Sequence, residues 1–135
     1  MRFLLILLAI AGFVDSGFAL REHYRTDASP CSINERWDCG IVNHSPFAML
    51  AGIPVAVIGM AGYVALAILA FRRAYRLALA AALVGLAFSL YLAHVEAHIL
   101  GVWCIYCVAS LVIISVMTLL NLGTVIFSSL RSASA

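Results

Sequence analysis

The chain has 135 residues, of which 65% are hydrophobic and 10% charged, with a mean hydropathy of +1.11. Soluble domains average about 45–50% apolar and about 25% charged residues, so this composition marks a membrane protein and excludes a disordered tail, a disulfide-stapled secreted module and a basic nucleic-acid binder. The net charge of +2 comes from eight Arg against six acids, with no Lys, too little for electrostatic steering of a partner. Four Cys in so short and apolar a chain are the feature able to carry chemistry.

A spanning helix takes about 20 mostly apolar residues. In chain order, residues 3–20 are apolar except for Asp15, residues 47–71 and 77–93 carry no charge, and residues 99–130 are uncharged and longer than one span requires. The expected fold is all-α, a polytopic membrane four-helix bundle forming one domain over residues 1–135. Its helices are expected at about 3–20, 47–71, 77–98 and 103–127, with an extracytoplasmic loop, 21–46, between helices 1 and 2. That loop holds four of the six acids and two of the four Cys. Arg2, the apolar run and the small residues Gly17 and Ala19 also fit a cleavable secretory signal. Asp15 near the cleavage point and the length of the run favour a retained span, and either outcome gives the same orientation.

Positive charge is retained in the cytoplasm beside short loops. With the N-terminus inside, Arg2, Arg72, Arg73, Arg76 and Arg131 are cytoplasmic and Arg21, Arg25 and Arg36 lie outside. The triplet Arg72, Arg73 and Arg76 sits in a very short connection, where the rule is strongest. Both termini are then cytoplasmic. Cys31 and Cys39 fall in the outer loop, and Cys104 and Cys107 fall at the outer end of the fourth helix. All four thiols share the oxidising side, where disulfides form and persist.

Cys104-Ile105-Tyr106-Cys107 has the Cys-x-x-Cys spacing of thiol–disulfide exchange centres, and a helix N-terminus favours the reactive thiolate. A second pair at the same membrane face allows electrons to pass by attack of a thiolate on a neighbouring disulfide. Two inert structural disulfides are the plainer alternative. A tetrathiolate zinc site is a third, although Cys31 and Cys39 are separated by seven intervening residues where zinc ligands are usually two to four apart. No haem, flavin or iron–sulfur signature is present in the sequence, so the natural acceptor is a quinone dissolved in the membrane. An acceptor about 100 mV more oxidising than the donor dithiol supplies roughly 4–5 kcal/mol for the two-electron step.

The order of these features is specific. The loop Cys31, Cys39 and Gly40, then Ser45, Gly52-Ile53-Pro54, Phe88-Ser89-Leu90-Tyr91-Leu92 with Glu96, and Cys104-x-x-Cys107 resembles the vitamin K epoxide reductase family, in particular its bacterial homologues. The resemblance runs over nearly the whole chain. Disulfide bond protein B, the other four-helix quinone-linked disulfide oxidase, has its two cysteine pairs in the reverse order. The resemblance implies a relay in a bacterial cytoplasmic membrane: Cys31 exchanges with a thioredoxin-like protein, Cys39 passes electrons to Cys104, and Cys107 stands against the quinone, ubiquinone or menaquinone. It implies that Ser45, six positions after Cys39, tunes the thiols. It implies pairings of Cys31 with Cys39 and Cys104 with Cys107, or of Cys39 with Cys104, as stages of one cycle. Bacterial members often carry a fused thioredoxin-like domain, whereas this sequence runs only a few residues past its last apolar stretch, so a separate DsbA-type partner is expected. Human-type members have an asparagine in the second helix and a tyrosine four residues after the last active cysteine. Here the latter position is Leu111 and no Asn lies within 47–71, which favours generic quinone reduction over reduction of vitamin K epoxide.

Other residues carry weaker signals. Ser45-Pro46 fits a helix start with Ser as N-cap. Pro54 is expected to bend the second helix and open a quinone pocket, with Phe88, Leu92 and Leu111 around it. Gly85, Ser89 and Ala93 make a small-residue packing stripe. Glu96, one turn beyond, faces either the bundle interior with a proton-handling role or the hydrated interface. His94 and His98 stand at i, i+4, a metal-ligand spacing, but interfacial anchoring suits them better and no metal is expected. His44 is a loop histidine beside Ser45, Trp37 and Trp103 suit the interface, and Asp15 has no evident role.

Overall fold

The first helix is built from an apolar run bounded by Arg2 and by Arg21 with His23 in its last turn. In the computed structural model, which describes residues 2–24, 37, 46, 49–50 and 52–134, it forms α1, Arg2–His23. Its 22 residues span about 33 Å at 1.5 Å per residue, enough to cross a bilayer core of about 30 Å. Three more helices follow: α2 (Val55–Phe71), α3 (Tyr75–Val95) and α4 (Ile105–Ser134). Each packs on the helix before it, and α4 closes the ring against α1. The all-α membrane bundle expected from composition is the observed fold, with three helices long and apolar enough to cross a membrane and α2, at 17 residues, at the lower limit.

The expected helix over 47–71 is shorter at its start. Met49–Leu50 (β1) pairs antiparallel with Ile53–Pro54 (β2) in a small hairpin, and α2 begins only at Val55. Gly52 turns the hairpin at φ +81°, a conformation that glycine adopts without steric cost. Pro54, with ψ 133°, is extended and precedes the helix rather than bending it. Pro46 is in a 3-10 turn ahead of the hairpin, and Ser45, the expected N-cap, lies outside the described residues.

α3 starts two residues earlier than expected and runs without a break into a π-helical turn, Glu96–Leu100, that ends at Gly101 with φ +71°. Such an αL residue is the usual stop for a helix and turns the chain into α4. Chain direction puts Arg2, Arg72, Arg73, Arg76 and Arg131 at one end of the bundle and Cys104 and Cys107 at the other. At the arginine end, Arg2 donates to the Phe71 carbonyl at 3.4 Å and its guanidinium lies 4.9 Å and 5.5 Å from the Phe3 and Phe71 ring centroids.

Lipid is as apolar as leucine, so helix association rests on close packing and internal hydrogen bonding. Small residues make the packing possible: Ala9, Ala70, Ala78 and Ala82 are buried among Leu5, Leu66 and Met117. Gly85 lets α4 approach, since a Cβ there would stand 3.3 Å from Ile114. Polar side chains of α4 satisfy themselves on carbonyls one turn back, as with Ser115 on Leu111 and Thr118 on Ile114, both at 2.7 Å.

Candidate active site

Cys104 is the residue immediately before α4, fully buried, and its sulfur accepts the N–H of Cys107 at 3.4 Å. It therefore acts as the helix N-cap, the place where orphan backbone donors and the helix dipole favour a negative sulfur. Cys107 lies one turn into the helix and is half-buried. The Cys-x-x-Cys spacing thus puts one sulfur at the helix mouth and the other on the first turn, where the N–H of one reaches the other.

Glu96 is brought to the same place by the π-helical turn. A π turn widens the helix by one residue and is frequent at functional sites. The Glu96 side chain is 2% exposed, one carboxyl oxygen accepts the Cys104 N–H at 3.5 Å, and the other is buried without a hydrogen-bond partner. The carboxyl also lies near enough to interact with the Cys107 thiol. Of the two expectations for Glu96, the buried one is observed. His94 and His98 have ring centroids 4.8 Å apart, and among the described residues no three His, Cys, Asp or Glu side chains converge as a metal site would require.

Trp103, adjacent to Cys104, forms a parallel β-bridge with Trp37 of the long loop. Cys31, Cys39 and Ser45 themselves lie outside the described residues, as does His44.

Below Cys107, toward the bundle centre, a cavity of about 410 Å³ opens between all four helices. This is within the usual range of small-molecule sites. Its walls are mostly apolar, and Cys107, Phe88 and Leu92 are among the lining residues. Pro54 and Leu111 are not: Pro54 belongs to the hairpin above the lining residue Val55, and Leu111 follows the lining residue Ser110. Ser89 and Gly85 of the small-residue stripe also line it, so that stripe leaves space as well as permitting contact.

Five polar residues in this wall gave little sign in the sequence: Asp15 and Ser16 from α1, Tyr63 from α2, and Tyr106 and Ser110 from α4. The Tyr63 hydroxyl is 2.7 Å from Ser110 Oγ and 3.2 Å from the Ser110 carbonyl. Tyr106 stacks on Phe18, with centroids 5.9 Å apart. Only Asp15 could have been found beforehand, as the lone charge inside an apolar run. Tyr63 and Ser110 become notable only when the fold brings their helices together.

Among curated proteins none matches the chain. The sequence model of the vitamin K epoxide reductase family does, over residues 3–122. The match takes in α2 and α3 whole, all of α1 but Arg2, most of α4, the described cysteines and the cavity wall, so the chain belongs to the vitamin K epoxide reductase family and is a membrane oxidoreductase.

Proposed function

We propose that the protein carries electrons from a separate secreted thioredoxin-like protein of DsbA type through two cysteine pairs to a membrane quinone, and so supports disulfide bond formation outside the cytoplasm. The observation that carries this reading is the position of Cys107: it borders an apolar cavity while its partner in the motif, Cys104, is buried at the helix start beside the Trp37–Trp103 bridge. Cys39 follows Trp37 by two residues and Cys104 follows Trp103 by one. Pairing of the two tryptophans therefore ties the chain stretch of one cysteine pair to that of the other.

Each transfer is a thiolate attack on a disulfide. A thiolate of the donor attacks the Cys31–Cys39 disulfide at Cys31, and the donor's second thiol resolves the mixed disulfide, leaving both loop thiols reduced. Cys39 then attacks Cys104 of the Cys104–Cys107 disulfide, and Cys31 closes back on Cys39. The pair beside the cavity is now a dithiol. A quinone, when bound, supplies an acceptor of two electrons and two protons. Glu96 accepts the proton of Cys107 as the sulfur gives up electron density, and the re-formed Cys104–Cys107 bond completes the cycle. Phe88 and Leu92 provide apolar walls for the ring, with Pro54 and Leu111 supporting the wall residues next to them, and Ser45 tunes the loop thiols.

The donor set fits a quinone: apolar walls, a redox sulfur on one side and hydroxyl donors one turn away. The positive-inside rule sets the orientation, with the arginine end and both termini in the cytoplasm and the cysteines outside. The test uses the purified full chain, a reduced thioredoxin-like donor and a short-chain quinone followed by absorbance. Quinone reduction is expected, falling to background in Cys104→Ser and Cys107→Ser. Absence of reduction by the unmodified protein, or its persistence without Cys107, overturns the reading.

A further inference from the structure

Resting on the quinone reading above, we infer that Tyr63 is the hydrogen-bond donor to a quinone carbonyl in this cavity and that Asp15 is the proton source behind it. Tyr63 is held for such a task. A Cβ at Gly12 would collide with the Tyr63 ring, so the absence of a side chain at Gly12 lets that ring lie directly over α1. Its hydroxyl is anchored from the other side by Ser110: Oγ stands 2.7 Å away and can donate to it, and the 3.2 Å bond that the phenol donates to the Ser110 carbonyl is the one a quinone carbonyl takes over. Ser110 comes three residues after Cys107, which puts the two side chains on one helix face with Cβ atoms about 5–6 Å apart. The phenol is therefore fixed about one helical turn from the redox sulfur, a separation on the scale of a six-membered ring.

Asp15 supplies the second, independent observation. It lines the same cavity, it is near enough to interact with both Tyr63 and Tyr106, and its Oδ2 is buried with no hydrogen-bond partner. A carboxyl inside a membrane span is costly to keep and is commonly functional. The balance closes within the site. Two electrons leave Cys104 and Cys107 as their S–S bond forms, and two thiol protons are released. Two protons are taken up at the carbonyl oxygens, one of them passed by Asp15 through the Tyr63 hydroxyl, and Asp15 is reprotonated from the pool the thiols release.

The test compares Tyr63→Phe, Asp15→Asn and Ser110→Ala in the full chain, using a short-chain ubiquinone analogue as probe. Equilibrium binding is read by quenching of tryptophan fluorescence, alongside the KM and kcat for quinone and the rate of thiol exchange with the reduced donor. Loss of one good hydrogen bond predicts binding and KM about tenfold weaker in Tyr63→Phe, and loss of the relay hydroxyl predicts a fall in kcat comparable to that of Asp15→Asn. Asp15→Asn is expected to keep its binding and to lose about tenfold or more in kcat, with a flattened pH profile that Asp15→Glu partly restores. Thiol exchange unchanged in all variants reports an intact fold. Should Tyr63→Phe fail to fold, Ser110→Ala, which removes only the anchoring Oγ, must weaken binding in the same direction. Unchanged binding in the folded variants, or an unchanged pH profile in Asp15→Asn, overturns the inference. Failure of the unmodified protein to reduce quinone overturns the proposed function instead, so the two failures are distinguishable.

Discussion

Toward the arginine end of the bundle, Leu5, Leu66 and Met117 interlock with Ala70, Ala78 and Ala82. Polar side chains there are absorbed by their own helix, as Thr124 is on the Leu120 carbonyl at 2.8 Å. Toward the cysteine end, small residues serve a second purpose. Gly59, Gly62, Gly85 and Ser89 line a cavity, Gly59 and Gly85 also admitting Ser16 and Ile114 across the seam, and Asp15 and Glu96 each keep a buried carboxyl oxygen without a hydrogen-bond partner. The same apolar alphabet thus builds a sealed half and an open half. The difference is set by what stands across from each small residue: a large aliphatic side chain in one case, and a ring held aside by Ser110 in the other. Buried polar groups left unsatisfied are rare in native structures; the sealed half has Arg2 Nε and Asn121 Oδ1, but the unpartnered carboxyl oxygens of Asp15 and Glu96 stand beside the cavity and the cysteine pair, where chemistry rather than stability dictates the residues.

Glu96→Gln breaks this comparison most severely. The amide keeps the volume but cannot take a proton from Cys107, so steady-state quinone reduction should fall about a hundredfold while helicity by circular dichroism is unchanged. A rate within about twofold of the unmodified protein would make Glu96 a structural acceptor for the Cys104 N–H and nothing more. Gly12→Ala comes next. Its methyl group must displace the Tyr63 ring, at an overpacking cost of about 1–3 kcal/mol in a denaturation assay. It should also weaken quinone binding in the manner of Tyr63→Phe, joining packing and function in one residue. Asn121→Leu, in the sealed half, should do least. Asn121 is 1% exposed, donates to the Met117 carbonyl at 2.9 Å and leaves its Oδ1 unpartnered. An apolar replacement of similar shape should change stability by no more than about 1 kcal/mol and leave the KM for quinone untouched.

Helix number, the membrane environment and the grouping of charge were legible in the sequence because a bilayer imposes a length and a polarity on every span. The Cys-x-x-Cys at a helix start was legible because its spacing is local. The second helix was misjudged at its outer end: residues 47–54 are apolar enough for a span, but Met49–Leu50 pairs with Ile53–Pro54 in a hairpin turned at Gly52, and hydropathy is insensitive to backbone conformation. The π-helical turn was likewise hidden, although it decides that Glu96 turns inward. Among the proposed quinone contacts, Phe88 and Leu92 line the cavity whereas Pro54 and Leu111 do not, because facing on a helix follows from packing partners that a single sequence does not name. Asp15 was visible as an anomaly, and its neighbours Tyr63 and Ser110 became intelligible only through the contact between α2 and α4.

The central claim is that two electrons leave through the Cys104–Cys107 dithiol to a quinone beside Cys107. An anaerobic single turnover tests it most directly: fully reduced protein, in which Cys31→Ser and Cys39→Ser remove the loop dithiol that would re-reduce the pair, is mixed with a short-chain quinone, quenched with an alkylating agent, and the thiols are counted by mass spectrometry against the quinol formed. The account predicts loss of the Cys104 and Cys107 thiols together, with one quinol for each pair lost, and no quinol from the Cys107→Ser protein. Quinol formed while both thiols stay reduced, or thiols lost without quinol, would contradict it.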